Sequence, residues 1–201
     1  MTRIPKKHRF ILAFITGVLV GMLLTDTLLP TEHTHSDDHH HESEEVHVHA
    51  DFLMYINDKK IDLTKDEFQS STEDLKHEDF HLHDNEGHIL HRHGHGITFV
   101  EFLESIDFIL TSFCLTTNEG EKLCEDDDNI LTLFVNGEKN GSPDNYVIND
   151  EDRVLLYYGL KESSDLQTYL DEVTDEACIY SGTCPERGLP PPESCGLTCE
   201  I

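Results

Sequence analysis

From residue 46 onward, apolar and polar side chains alternate with a period of two. Val46, Val48, Phe52, Met54 and Ile56 alternate up to Asn57-Asp58, and Ile61 and Leu63 resume the pattern beyond it. This spacing predicts a strand, a two-residue turn and a returning strand. A second hairpin is expected where Phe80-His81-Leu82-His83 and His88-Ile89-Leu90-His91 flank Asp84-Asn85-Glu86-Gly87. At Thr98 the period changes. Thr98 with Glu101 three residues on has the form of a capping box, and Phe99, Phe102, Leu103 and Ile106 give one apolar helical face, predicting a helix that covers the sheet. Residues 108–115 and 122–124 read as two strands around Asn118-Glu119-Gly120. Residues 130–135, an Asn136-Gly137 turn and residues 152–158 supply the last two strands. A short helix is expected over 163–173. Beyond it four prolines and three glycines crowd the tail, which predicts little regular structure there.

The fold class expected is therefore α+β, a small mixed sheet of β-hairpins with one packed helix, preceded by one transmembrane helix. The membrane segment is read from the first thirty residues. Arg3, Lys6, Lys7 and Arg9 precede an apolar run over residues 10–24, and Leu28 and Leu29 follow a short polar break. The positive flank predicts a cytoplasmic N-terminus and an extracytoplasmic remainder. Residues 24–27 lack the small-residue pattern of a cleavage site, which favours an uncleaved anchor over a signal peptide. The organisation expected is a basic flank and anchor at 1–29, an acidic His-rich linker at 30–45, an α+β domain at 46–160, a short helix at 161–177 and a Cys/Pro-rich tail at 178–201.

Charge narrows the partners. All 41 acidic residues follow position 25, whereas four of the 14 basic ones lie within the first nine positions, and the chain as a whole carries a formal charge of −27. Such a balance excludes nucleic acid, which is bound through Lys and Arg. The six cysteines, Cys114, Cys124, Cys178, Cys184, Cys195 and Cys199, suit disulfides in an oxidising compartment. Cys114 and Cys124 are expected to face each other across a hairpin. The four tail cysteines allow three disulfide connectivities or a single four-thiolate zinc site.

Candidate chemistry lies in three H-x-H pairs: His47 with His49, His81 with His83, and His91 with His93. Side chains two apart on a strand share a face, so each pair presents two imidazoles to one region of space. Imidazole suits zinc and copper, and one tetrahedral zinc takes four ligands, fewer than the six on offer. Asp84 is placed either to accept a hydrogen bond from a ligating ring or to bind metal itself, and His77 and His88 are weaker candidates. The linker histidines His33, His35 and His39 to His41 have no fixed geometry and read either as loose metal capture or as simple solvation with pH-dependent charging. H-E-x-x-H, G-x-S-x-G and P-loop motifs are absent, and no C-x-x-C supports a thioredoxin-like role, so an enzyme is the weaker expectation. The leading expectation is an anchored extracytoplasmic protein that binds zinc or copper. The competing one is a protein-interaction module whose partner docks on the sheet and tail.

The chain resembles a group of exported, single-anchor prokaryotic proteins. Their pattern is an H-x-H strand leading into an Ile-Asn-x-Lys hairpin, then His-x-His-Asp-x-x-Gly-His-x-x-His and a Thr-x-x-x-Phe helix. The matching residues are His47, His49, Ile56 to Lys59, His81 to Asp84, Gly87, His88, His91 and Thr98 to Phe102. Residues 131–159 look like the closing strands of a ubiquitin-like β-grasp, as in small sulfur-carrier proteins. Those carriers end in Gly-Gly where this sequence reads Cys199-Glu200-Ile201, so the resemblance implies a fold and not carrier activity.

Overall fold

The computed structural model describes residues 46–192. The expected anchor at 1–29, the linker with its histidines, and Cys195 and Cys199 lie outside the described residues. Among the described residues no helix is long and apolar enough to cross a membrane.

The architecture is mixed α+β. Among the described residues ten strands form: β1 Val48–Ile56, β2 Lys59–Lys60, β3 Phe80–His81, β4 Ile89–Arg92, β5 Ile109–Leu110, β6 Cys114–Thr116, β7 Lys122–Cys124, β8 Asn129–Val135, β9 Glu138–Lys139 and β10 Arg153–Leu160. Seven of them make one sheet in the order β3-β4-β1-β10-β8-β9, with β2 also paired to β1, and β5-β6-β7 form a second, small sheet. The helices are α1 Phe99–Ser105, α2 Leu166–Glu172 and α3 Ala177–Tyr180.

The expected turns form for the reason given. Asn57 and Asp58 both take positive φ, 49° and 61°, as do Asn136 and Gly137 at 53° and 82°. That is the backbone of a two-residue hairpin turn, which Asn, Asp and Gly tolerate with least strain. The hairpin description is nevertheless incomplete. The two longest strands, β1 and β10, come from opposite ends of the domain and pair in parallel at the sheet centre, with Asp51 opposite Arg153 and Tyr55 opposite Tyr157. Parallel neighbours need a long crossover, and local pattern does not announce one.

Strands pair with both edges of β1, and packed side chains bury both of its faces. Ala50, Phe52, Met54 and Ile56 point into the larger core with Phe80, Leu90, Val154 and Leu156. Helix α1 covers that face: the Phe52 ring meets Phe99 and Phe102 edge-on at 5.3 and 5.8 Å, and Phe80 stacks on Phe102 at 5.0 Å. Its capping box is complete, since the Thr98 hydroxyl accepts from Glu101 N–H and the Glu101 carboxylate accepts from Thr98 N–H. The Thr98 N–H and the Thr98 hydroxyl, both donating to the Glu101 carboxylate, hold that carboxyl below its ordinary pKa. We expect Thr98→Ala to lower unfolding stability by about 1 kcal/mol in a urea titration, the usual cost of a lost N-cap. Unchanged stability would mean that packing alone sets the helix start.

The expectation of a single packed helix is corrected on the opposite face. There Leu53, Tyr55, Leu155 and Tyr157 form a second cluster with Tyr169 and Val173, and Tyr55 stacks on Tyr169 at 3.9 Å. Both α2 and α3 lie over this face. Helix α3 is one turn of regular structure within the segment whose prolines and glycines predicted none.

Candidate metal centre

The second face of β1 continues from Tyr55 and Leu53 through Asp51 to His49, and period two then brings up His47. The register does what single strands cannot. β4 pairs with β1 so that His49 stands opposite His91, and β3 pairs with β4 so that His81 stands opposite His91. Three imidazoles from three adjacent strands thus form a row across one sheet face. The second member of each pair, His47, His83 and His93, joins from the strand ends. Four rings are almost wholly enclosed: His91 is 0% exposed, His49 and His81 1%, and His83 3%.

Ring separations trace a closed loop. His47 lies 4.5 Å from His49, His49 4.8 Å from His91, and His91 3.9 Å from His83. His83 lies 5.5 Å from His81, His81 5.3 Å from His93, and His93 4.6 Å from His47. Within the loop His47, His49 and His91 form a group that can hold a metal ion, with ligand nitrogens all within 4.8 Å of one another. Tetrahedral coordination at 2.0–2.1 Å puts such nitrogens about 3.3 Å apart, so small ring rotations close the distance.

Hydrogen bonds outside the loop fix the tautomers. The His81 Nδ1 lies 2.8 Å from the His77 carbonyl, which can only accept, so Nδ1 carries the proton and Nε2 the lone pair. That Nε2 is buried and meets no hydrogen-bond partner among the described residues. The His83 Nδ1 donates to Asp84 at 2.8 Å, the orienting role expected of Asp84. The His49 Nδ1 lies 2.8 Å from the Ser181 hydroxyl, which itself donates to Asp150 at 2.6 Å. The Ser181 oxygen therefore accepts from His49, and His49 Nε2 is left as the basic nitrogen. Histidines that bind metals are oriented in this way by carbonyls and carboxylates behind them.

The cover over the loop was not legible in the sequence. Tyr180 of α3 lies 5.8 Å from both His49 and His91, and Ser181 follows it. A disulfide between Cys178 and Cys184 closes this segment on itself. That bond also corrects one reading of the tail, since two of its four cysteines are joined to each other and the four cannot share one zinc. Cys114 and Cys124 stand in register on β6 and β7 and form the expected hairpin disulfide.

Two weaker candidates stand apart from the loop. The His88 ring lies 3.0 Å from Glu176 and 3.4 Å from Glu86, beside a cleft of about 570 Å³ lined by Leu53, Ile61 and Thr174 among others. The His77 Nδ1 accepts from Asp79 N–H at 3.0 Å. No protein family matches the chain, and no curated protein or solved structure shows significant similarity to it.

Burial sets the protonation of His81. Burial penalises the imidazolium and lowers its pKa from 6.5 to about 4, against the opposing hydrogen bond to the His77 carbonyl. Between these values the unfolded chain binds the proton and the folded chain does not. Stability from this group is full above pH 6.5 and is lost as pH falls toward 4, by up to about 3 kcal/mol. We expect metal-free protein to lose urea resistance steeply over that interval. In His81→Gln the slope flattens, and an equal slope would assign the acid sensitivity elsewhere.

Proposed function

We propose that this chain is a transition-metal-binding protein that holds zinc or copper in the histidine loop of β1, β3 and β4. The observation that carries the reading is the convergence of six imidazoles, four of them buried, with the Nδ1 atoms of His49, His81 and His83 engaged by Ser181, the His77 carbonyl and Asp84. Four enclosed rings on one sheet face cost desolvation and side-chain entropy with little apolar gain. A bound cation offsets that cost. All six candidates are imidazoles, a donor type suited to zinc and copper and poorly suited to magnesium or calcium.

The setting proposed is extracytoplasmic. The disulfides Cys114–Cys124 and Cys178–Cys184 support an oxidising compartment, and the basic flank with the apolar run of residues 10–24 supports attachment by an N-terminal anchor. The β-grasp likeness is supported by the order β4-β1-β10-β8, with parallel β1 and β10 at its centre and α1 across one face. In this setting the protein sequesters or delivers the ion at the outer membrane face, with the linker histidines raising its local concentration.

The test is metal content of full-length protein, purified without chelating resin and dialysed exhaustively, beside the variant His49→Ala/His91→Ala. Tightly held zinc or copper in the parent and its loss from a folded variant is the expected result. A parent that retains neither ion after exposure to both would overturn the reading.

A further inference from the structure

Resting on that reading, we infer that the loop is built for two metal ions, one held by His47, His49 and His91 and the other by His81, His83 and His93. Six imidazoles exceed the needs of one tetrahedral ion, and the grouping of ligand nitrogens divides them. The first three already place one ligand nitrogen each within 4.8 Å of the others. Once these are assigned, the remaining three are consecutive around the loop, with His81 between His83 at 5.5 Å and His93 at 5.3 Å. Two rings bound to one ion at 2.0–2.1 Å and near-tetrahedral angles have centroids about 5 Å apart, close to the steps within each triad.

Each triad has the same construction. Its middle ring, His49 or His81, is 1% exposed and is locked from behind through Nδ1, by Ser181 in one case and the His77 carbonyl in the other. Nε2 is then the basic nitrogen of that ring. The His81 Nε2 is the stronger sign of a second ion, because it is buried without a hydrogen-bond partner among the described residues and is not one of the first triad. Buried polar atoms are nearly always satisfied, and a bound cation satisfies a lone pair. The triads abut at two steps of the loop, His91 to His83 at 3.9 Å and His93 to His47 at 4.6 Å, so the two ions lie side by side on one sheet face.

With three imidazoles each, both ions keep an open coordination position, the arrangement that lets a metal bind a small exogenous ligand such as water or hydroxide. The pair therefore takes two late first-row ions, zinc or copper, and a small bridging or terminal oxygen ligand.

The experiment uses the full chain with His33, His35, His39, His40 and His41 changed to Ser, so that the linker contributes nothing. Chelator-stripped protein is reloaded with zinc or with copper(II), desalted, and weighed by native mass spectrometry. Two equivalents are expected in this parent, one in His81→Ala/His83→Ala and one in His47→Ala/His49→Ala. A single equivalent in the parent that both double variants abolish would overturn the two-ion inference and leave the proposed function standing. No retained metal in the parent would overturn both. Because a double variant can fail by unfolding, the copper-loaded parent is also read by electron paramagnetic resonance. A half-field transition from two coupled copper(II) ions is expected, and the spectrum of isolated copper(II) at full loading would overturn the pairing.

Discussion

Replacing His91 with alanine lowers affinity for the tightest-bound ion by more than 100-fold, measured by competition with a chromophoric chelator. His91 is fully enclosed, pairs in register with His49 on one side and His81 on the other, and has ring neighbours at 4.8 and 3.9 Å in His49 and His83. Loss of an outer hydrogen-bond partner to a ligating histidine costs about 10–100-fold in affinity. Removal of the ligating ring takes away the donor itself and leaves a void between strands, so the effect exceeds that range. His88→Ala is the control. Its ring is engaged by Glu86 and Glu176 away from the loop, and the variant retains parental affinity. If His88→Ala weakened binding and His91→Ala did not, the site would have to move to the cleft beside α2.

Asp51→Ala destabilises the domain by about 3 kcal/mol or more and loosens the cover of the histidine loop. Asp51 is 1% exposed, yet its carboxylate accepts from the Thr174 hydroxyl, from Glu176 N–H at 2.9 Å and from Ala177 N–H at 3.0 Å. Its partner in the parallel pair, Arg153, donates Nε–H to the Thr174 carbonyl at 2.9 Å and also reaches the Val173 carbonyl. One side chain holds the N–H groups of the segment leading into α3 and the other holds its carbonyls. Without the carboxylate three donors lose their acceptor, at about 1–3 kcal/mol for each that stays buried. The segment instead opens to water, which limits the sum and exposes Tyr180 and Ser181. Hydrogen exchange should then accelerate at Glu176 and Ala177. Metal affinity should fall with it, because Ser181 orients His49. Protection at these amides equal to the parent's would show that the Cys178–Cys184 loop holds itself in place without Asp51.

These two residues separate what the sequence showed from what it hid. His91 was visible because a strand puts positions two apart on one face, and the H-x-H pairs stand in segments whose alternation already marks them as strands. Asp51 was not singled out. On an exposed strand it would be an ordinary solvated carboxylate, and only its position between β4 and β10 makes it a buried anchor. Ser181 and Tyr180 carried no local signal either, since they stand in a Pro- and Gly-rich tail about ninety or more residues from the rings they meet.

The sequence by itself determined the local elements: alternating strands, Asn-Asp and Asn-Gly turns that require positive φ, the capping box at Thr98, and imidazole pairs confined to one side of each strand. Each rests on interactions within a few residues, which is why pattern and composition suffice. Only the tertiary structure decided that β1 lies between β4 and β10, that His49, His91 and His81 stand abreast, and that α3 closes over them. Register and strand order are set by pairing between distant segments, where one residue of slip would turn every histidine to the opposite face. The burial of both faces of β1 fixes that register. The same register turns three histidine pairs into one array with four of its rings buried.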